Sequence, residues 1–179
     1  MTFDIAAILA VDGIASGAIY ALVAIGTVLL FSVTRVMFVP FGDLAAFTAL
    51  TLAALDDGKT PGTVNLVIAL AVLAFAMEAL ALVRAGKMKM LPRAALFYLV
   101  IPIAVALAVR LLAPATPPLP VRLIMALALI VPVAPLLDRI VFRPVADAPV
   151  LVLLIIAVAL HFALVGLGLL FFGPEGVRT

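Results

Sequence analysis

The chain has 179 residues, of which 68% are hydrophobic and 11% are charged, and its formal net charge is +2. Soluble domains are roughly half apolar and about a quarter charged, because their surface must interact with water. The composition excludes a soluble enzyme, a nucleic-acid-binding domain and a disordered tail, and it predicts an integral membrane protein. The chain has no cysteine, which excludes disulfides and thiolate metal sites.

Six apolar runs follow one another along the chain, separated by clusters of proline, glycine and charged residues. A membrane-spanning helix needs about 20 mostly apolar residues, and lipid cannot satisfy the edge of an open strand. We therefore predict one all-α, polytopic membrane domain over residues 1–179, with about six transmembrane helices. The runs are Ile5–Val33, Phe41–Leu55, Thr63–Val83, Ala95–Ala113, Val121–Leu137 and Pro149–Phe172.

Basic residues are distributed unevenly between the breaks that separate these runs. The first, third and fifth breaks contain seven Lys and Arg, namely Arg35, Arg84, Lys87, Lys89, Arg93, Arg139 and Arg143. The other breaks and the two chain ends contain four, namely Lys59, Arg110, Arg122 and Arg178. Because cytoplasmic loops carry an excess of Lys and Arg, this pattern predicts that both termini lie outside and that the odd-numbered breaks are cytoplasmic.

The first run contains Gly13, Gly17 and Ala21 at a spacing of four residues, which is typical of a groove for close helix packing. The segment that follows, residues 35–43, has the sequence RVMFVPFGD, with Pro40 and Gly42 in an otherwise apolar stretch. Such an interruption at membrane depth is tolerated only beside protein or a watery cavity. Broken helices of this kind are found at substrate sites in transporters, so we predict a pathway segment here.

Glu78 and His161 are ionisable residues well inside apolar runs, where a charge costs on the order of 3 kcal/mol. Glu78 precedes Arg84 by six residues, and it is predicted either to reach Arg84 or the lipid headgroups or to face a pathway through the bundle. His161 is the only histidine. Since a metal site needs several donors, we favour a neutral histidine bonded to a neighbouring helix over a proton relay or ligand.

Two segments resemble the permease subunits of branched-chain amino acid ABC importers. Residues 20–26, YALVAIG, are similar to the Tyr-Ala-Leu-x-Ala-x-Gly run of that family, and Gly42-Asp43 fits its later Gly-Glu, although Phe38 and Phe41 replace an Asn and a His. Residues 138–145, DRIVFRPV, resemble its cytoplasmic Glu-Arg-x-x-x-Arg-Pro motif, and residues 172–176 resemble a Phe-Gly-Pro-Glu-Gly turn. An insertion of two helices separates the two segments.

The resemblance covers residues 4–55 and 136–179, and family members continue for several more helices, including a coupling loop that docks on the ATPase subunit. We therefore expect an N-terminal part of a permease, or a truncated product, whose domain is incomplete at its C-terminus. The resemblance implies pathway residues at the N-terminal motif, and a structural motif at the cytoplasmic face. The pathway candidates are Tyr20, Pro40, Phe41, Gly42 and Asp43, and the cytoplasmic-face residues are Asp138, Arg139, Arg143 and Pro144.

The function that the resemblance implies is that of a permease subunit of an ATP-driven importer for branched-chain amino acids or related small solutes. Its expected location is the bacterial inner membrane, where it meets lipid, a second permease subunit, cytoplasmic ATPase subunits and a periplasmic solute-binding protein, with no nucleic acid. The sequence has no Walker-type glycine-lysine loop, so we expect the partner subunits to use the ATP. The chain itself is predicted to be no enzyme and to hold no metal or cofactor.

Two other functions fit an apolar helical chain. A membrane-embedded enzyme acting on a lipid or prenyl substrate gathers several carboxylates or histidines at one membrane face, whereas here only Asp56 and Asp57 are adjacent. A non-catalytic scaffold subunit would have the same composition. It differs from a permease in one observation, because an ATPase should not accompany a scaffold on purification.

Overall fold

The computed structural model describes residues 2–34, 38–115 and 117–173, and these form helices without any strand. The predicted all-α class is confirmed. We number the six helical segments in chain order. They are α1 (Thr2–Thr34), α2 (Phe41–Asp56), α3 (Gly62–Arg84), α4 (Met88–Ala115), α5 (Leu119–Val145) and α6 (Val150–Phe172).

Within the described ranges, five of these helices are long and apolar enough to cross a membrane: α1, α3, α4, α5 and α6. A multi-pass membrane protein is therefore supported. Six spans are not confirmed, because α2 has only 16 residues and measures about 24 Å against a core of about 30 Å. Pro40 precedes its first turn and Gly58, with φ of +67°, lies just beyond its end. The side on which the N-terminus lies stays a prediction.

Helices α4 and α5 extend beyond the predicted runs. Helix α4 begins at Met88 rather than Ala95. Pro92 is tolerated there because it lies in an opening turn of the helix, where backbone N–H groups form no hydrogen bond within the helix in any case. Helix α5 continues past Leu137 to Val145, so the predicted break between Leu137 and Pro149 begins too early. Each helix contains a five-residue π segment shortly before a proline, Leu96–Val100 before Pro102 and Asp138–Phe142 before Pro144. A widened turn relieves the clash between a proline ring and the preceding turn.

Helix α3 lies at the centre of the fold and packs against α4, α5 and α6. Ala71 and Ala74 are completely buried, and these small side chains allow neighbouring backbones to approach closely. Helix α2 is joined to α3 by a buried hydrogen bond between the hydroxyls of Thr51 and Thr63. At its C-terminal end it is joined to α5 by an ion pair between Asp56 and Arg122 at 2.7 Å.

Helix α1 stands apart from this bundle. None of its apolar span is buried, and its packing partner is the start of α2, where the Phe41 ring lies against Gly26. A Cβ added at Gly13 or Gly17 would meet nothing within 4 Å. The close packing that the sequence predicts for these glycines is therefore not made within the described part of this chain.

Candidate functional site

The predicted pathway segment forms the start of α2. Pro40 is fully buried and occupies the position before the helix, with φ of −67°, an angle that the proline ring favours. Phe41, Gly42 and Asp43 then form the first turn. The carboxylate of Asp43 is stabilised there by the positive end of the helix dipole. Residues 35–37 of the same motif, including Arg35, lie outside the described residues.

Asp43 is paired with the single histidine of the chain. The Nδ1 atom of His161 lies 3.0 Å from Oδ1 and 2.8 Å from Oδ2 of Asp43. This confirms that His161 bonds to a neighbouring helix. An ionised carboxylate has only acceptor oxygens, so with Asp43 ionised the Nδ1–H donates to it.

The pair lies halfway along α6. His161 is eleven residues from Val150 and eleven from Phe172, the two ends of that helix, which places it about 17 Å from either end. Since Asp43 is the third residue of α2, α2 begins near the middle of α6 instead of at its end. A polar pair at this depth is expensive unless the groups satisfy each other, and the Asp43 side chain is only 13% exposed.

A cavity of about 260 Å³ adjoins the pair, between α2 and α6. Among the described residues, Asp43 is its one charged lining residue, and the wall is otherwise formed by apolar side chains, glycines and backbone. The other lining residues are Ala46, Phe47, Leu50, Leu164, Val165, Gly168, Leu169, Phe172 and Gly173. Drug-sized ligands occupy pockets of about 300–1,000 Å³, so this cavity suits a smaller solute with one polar group and an aliphatic body.

The structure brings only some of the predicted pathway residues together. Pro40, Phe41, Gly42 and Asp43 are contiguous at the start of α2, but only Asp43 lines the cavity. Tyr20 lies on α1, where it is 76% exposed, and it lines neither this cavity nor the larger one described below. The side chain of Phe41 is directed toward Gly26 of α1.

The predicted cytoplasmic-face motif lies in the last turns of α5 and forms a buried ion pair. The Nε of Arg139 contacts a carboxylate oxygen of Glu78 on α3, and the two side chains are 10% and 15% exposed. Arg143 lies 3.8 Å from the same oxygen and 4.0 Å from Asp138, and it is half-exposed. Pro144 lies in the closing 3₁₀ turn.

Of the alternatives that the sequence leaves open for Glu78, a contact with Arg84 is wrong, because the carboxylate of Glu78 faces α5 and contacts Arg139 and Arg143. Sequence spacing favoured Arg84 because it lies on the same helix. The sequence does indicate that Glu78 needs a cationic partner, because an ionisable residue inside an apolar run requires a compensating group.

The two resembling segments are far apart in sequence yet meet in the fold. The rings of Phe38 and Phe142 lie 5.8 Å apart, centroid to centroid. The Asp43–His161 pair joins the first segment to the helix that follows the second. Gly173, with φ of +82°, ends α6, and the rest of the predicted turn, residues 174–176, lies outside the described residues.

Comparison with known proteins gives no match to any family model, curated protein or solved structure. The resemblance to importer permeases therefore stays a prediction, carried by the motifs at residues 20–43 and 138–145.

Proposed function

We propose that this chain is a permease subunit, or the N-terminal part of one, in an ATP-driven importer of branched-chain amino acids or related small solutes. Its place would be the inner membrane of a bacterium, beside a second permease subunit. Cytoplasmic ATPases would drive alternating access, and a periplasmic binding protein would deliver the solute. The helical, apolar character of the chain and its five span-length helices are consistent with this role.

One observation supports the proposal most directly: a short helix begins in the middle of the bundle, beside a small cavity and a polar pair. Helix α2 starts level with the centre of α6, and discontinuous helices of this kind form solute sites near the midplane of transporters. The cavity presents one carboxylate and aliphatic walls from Leu50, Leu164 and Leu169. Asp43 would bind a solute N–H donor or ammonium group, and the leucines would contact its aliphatic part.

The role of His161 follows from its geometry. By holding the Asp43 carboxylate through Nδ1, it fixes the position of the acceptor oxygens at the cavity wall. It also offsets part of the cost of a carboxylate at this depth. His161 is therefore a positioning residue in this proposal, and Asp43 is the residue that contacts solute.

A pull-down from native membranes in mild detergent tests the importer assignment, with an antibody against the segment at residues 85–93, which joins α3 to the first turns of α4, and an intact-mass readout. We expect an ATPase and a second permease to accompany the chain. Recovery of the chain alone, under conditions that keep other transporter complexes together, would contradict the importer and favour a scaffold.

The pathway role of Asp43 has its own test in the intact transport complex. Replacing Asp43 by alanine removes the only charged group that the described residues give to the cavity. We expect solute uptake to fall by about tenfold or more, which corresponds to the loss of a hydrogen bond to a charged group. Asp57→Asn is the matched control, because Asp57 lies in an exposed turn and should leave uptake unchanged. Normal uptake by Asp43→Ala at normal expression would remove Asp43 from the pathway.

A further inference from the structure

A second, larger cavity of about 690 Å³ lies between α3, α4 and α5. It is distinct from the Asp43 cavity and shares no lining residue with it. Its position coincides with irregular stretches of two helices. Phe97 and Tyr98, in the π segment of α4, line it, and so do Pro102, Pro132 and Pro135. Because proline cannot continue the helical hydrogen-bond ladder and crowds the preceding turn, these residues hold the helices in a non-ideal geometry where the cavity forms.

The cavity opens onto the outer surface of the helix bundle. Four of its large apolar lining side chains are exposed: Val131 at 69%, Met90 at 57%, Phe97 at 55% and Ile101 at 42%. These residues belong to helices long and apolar enough to span a membrane. The surface that surrounds the opening is therefore apolar, as expected for an entrance from lipid and not from water.

One end of the cavity is cationic. Arg93 and Arg143 line it together with Glu78, whose carboxylate contacts Arg139 outside the lining and lies 3.8 Å from the half-exposed Arg143. Residues 84–93 add Arg84, Lys87 and Lys89 without any acidic residue. Within residues 2–34, 38–115 and 117–173, no carboxylate forms an ion pair with Arg93 or with any of these three cations.

We propose that this cavity binds an anionic phospholipid, with its phosphate at Arg93 and Arg143 and an acyl chain along Phe97 and Ile101. Arg93 has no carboxylate partner among the described residues, and Arg143 is half-exposed and only loosely paired with Glu78 and Asp138. These two cations at one end, together with the exposed apolar side, are complementary to an anionic amphiphile. Basic pockets between transmembrane helices recognise such headgroups, and each Lys or Arg contributes about 1 kcal/mol of attraction. The proposal does not depend on the transport function.

The test is native mass spectrometry of the purified full chain, titrated in detergent with phosphatidylglycerol or with phosphatidylcholine of the same acyl chains. The wild-type chain should retain phosphatidylglycerol at least tenfold more tightly. In the double variant Arg93→Gln/Arg143→Gln the affinity for phosphatidylglycerol should fall about thirtyfold, because each of the two removed cations contributes about fivefold to it. Arg110→Gln is the matched control, because Arg110 lies outside the cavity lining and should leave binding unchanged.

The single variant Arg93→Gln distinguishes a loss of lipid binding from a loss of folding. Arg93 is exposed, and its replacement breaks no ion pair with a described carboxylate. The variant should lower phosphatidylglycerol affinity about fivefold with an unchanged thermal midpoint. Equal retention of both lipids, or an unchanged preference in both Arg variants, would overturn the proposal. Displacement of the lipid by inorganic phosphate alone at matched concentration would show a site for free anions and would also overturn it.

Discussion

Replacing Glu78 by alanine is expected to destabilise the helix bundle by about 3–5 kcal/mol, because it leaves a buried guanidinium without its carboxylate. The Arg139 side chain is only 10% exposed, and its Nε contacts Glu78. The contact joins α3, the central helix, to the last turns of α5, so the loss affects the core of the fold. Reversible unfolding in mixed micelles, followed by circular dichroism, measures the change in free energy.

Two further variants separate the loss of a partner from the loss of packing. Arg143→Ala removes a half-exposed side chain whose distance to Glu78 is 3.8 Å, and it should cost no more than about 1 kcal/mol. The double variant Glu78→Leu/Arg139→Met replaces both charges by apolar side chains, and it should recover most of the stability lost in Glu78→Ala. A Glu78→Ala protein as stable as Arg143→Ala would contradict the buried pair.

Replacing Gly62 by alanine is the second substitution with a large expected effect. Gly62 is the first residue of α3, and a Cβ added there would overlap the carbonyl oxygen of Phe171 and lie 2.9 Å from its carbonyl carbon. Both atoms belong to backbone, so no side chain can rotate away. We expect a loss of about 1–3 kcal/mol from overpacking, measured by the same unfolding assay.

Gly166→Ala is the matched control for this substitution. Gly166 lies in α6, and a Cβ at that position meets nothing within 4 Å. Alanine should therefore stabilise the helix by up to about 1 kcal/mol through its higher helix propensity. If Gly62→Ala were as stable as Gly166→Ala, the close contact between α3 and the end of α6 would be refuted.

Composition and continuous apolar runs predict the helices well, because burial in lipid demands both. The five long helices were all located from these runs. The boundaries were less predictable where prolines are found. The pattern of runs predicts a break around Pro92, yet Pro92 lies in the opening turns of α4. It also predicts a break at the charged motif before Pro144, whereas this motif continues α5 through a π turn.

Only one of the two segments that form the candidate site, the start of α2, could be predicted from the sequence. The unusual sequence around Pro40 and Asp43 drew attention to the start of α2, and the structure places that segment beside a cavity. Its partner His161 lies 118 residues away, and Arg139 lies 61 residues from Glu78. Such pairings depend on which helices pack together, and a single sequence holds no direct information on that.

The isolation of α1 has a mechanical consequence. Its apolar span of 29 residues measures about 44 Å at 1.5 Å per residue, well beyond a hydrocarbon core of about 30 Å. A helix with this mismatch tilts to keep its apolar length within the bilayer, and the angle changes with bilayer thickness. Gly26 of α1 lies against the ring of Phe41 in the first turn of α2. We therefore expect a change in the tilt of α1 to shift this contact, which lies two residues before Asp43 at the start of α2.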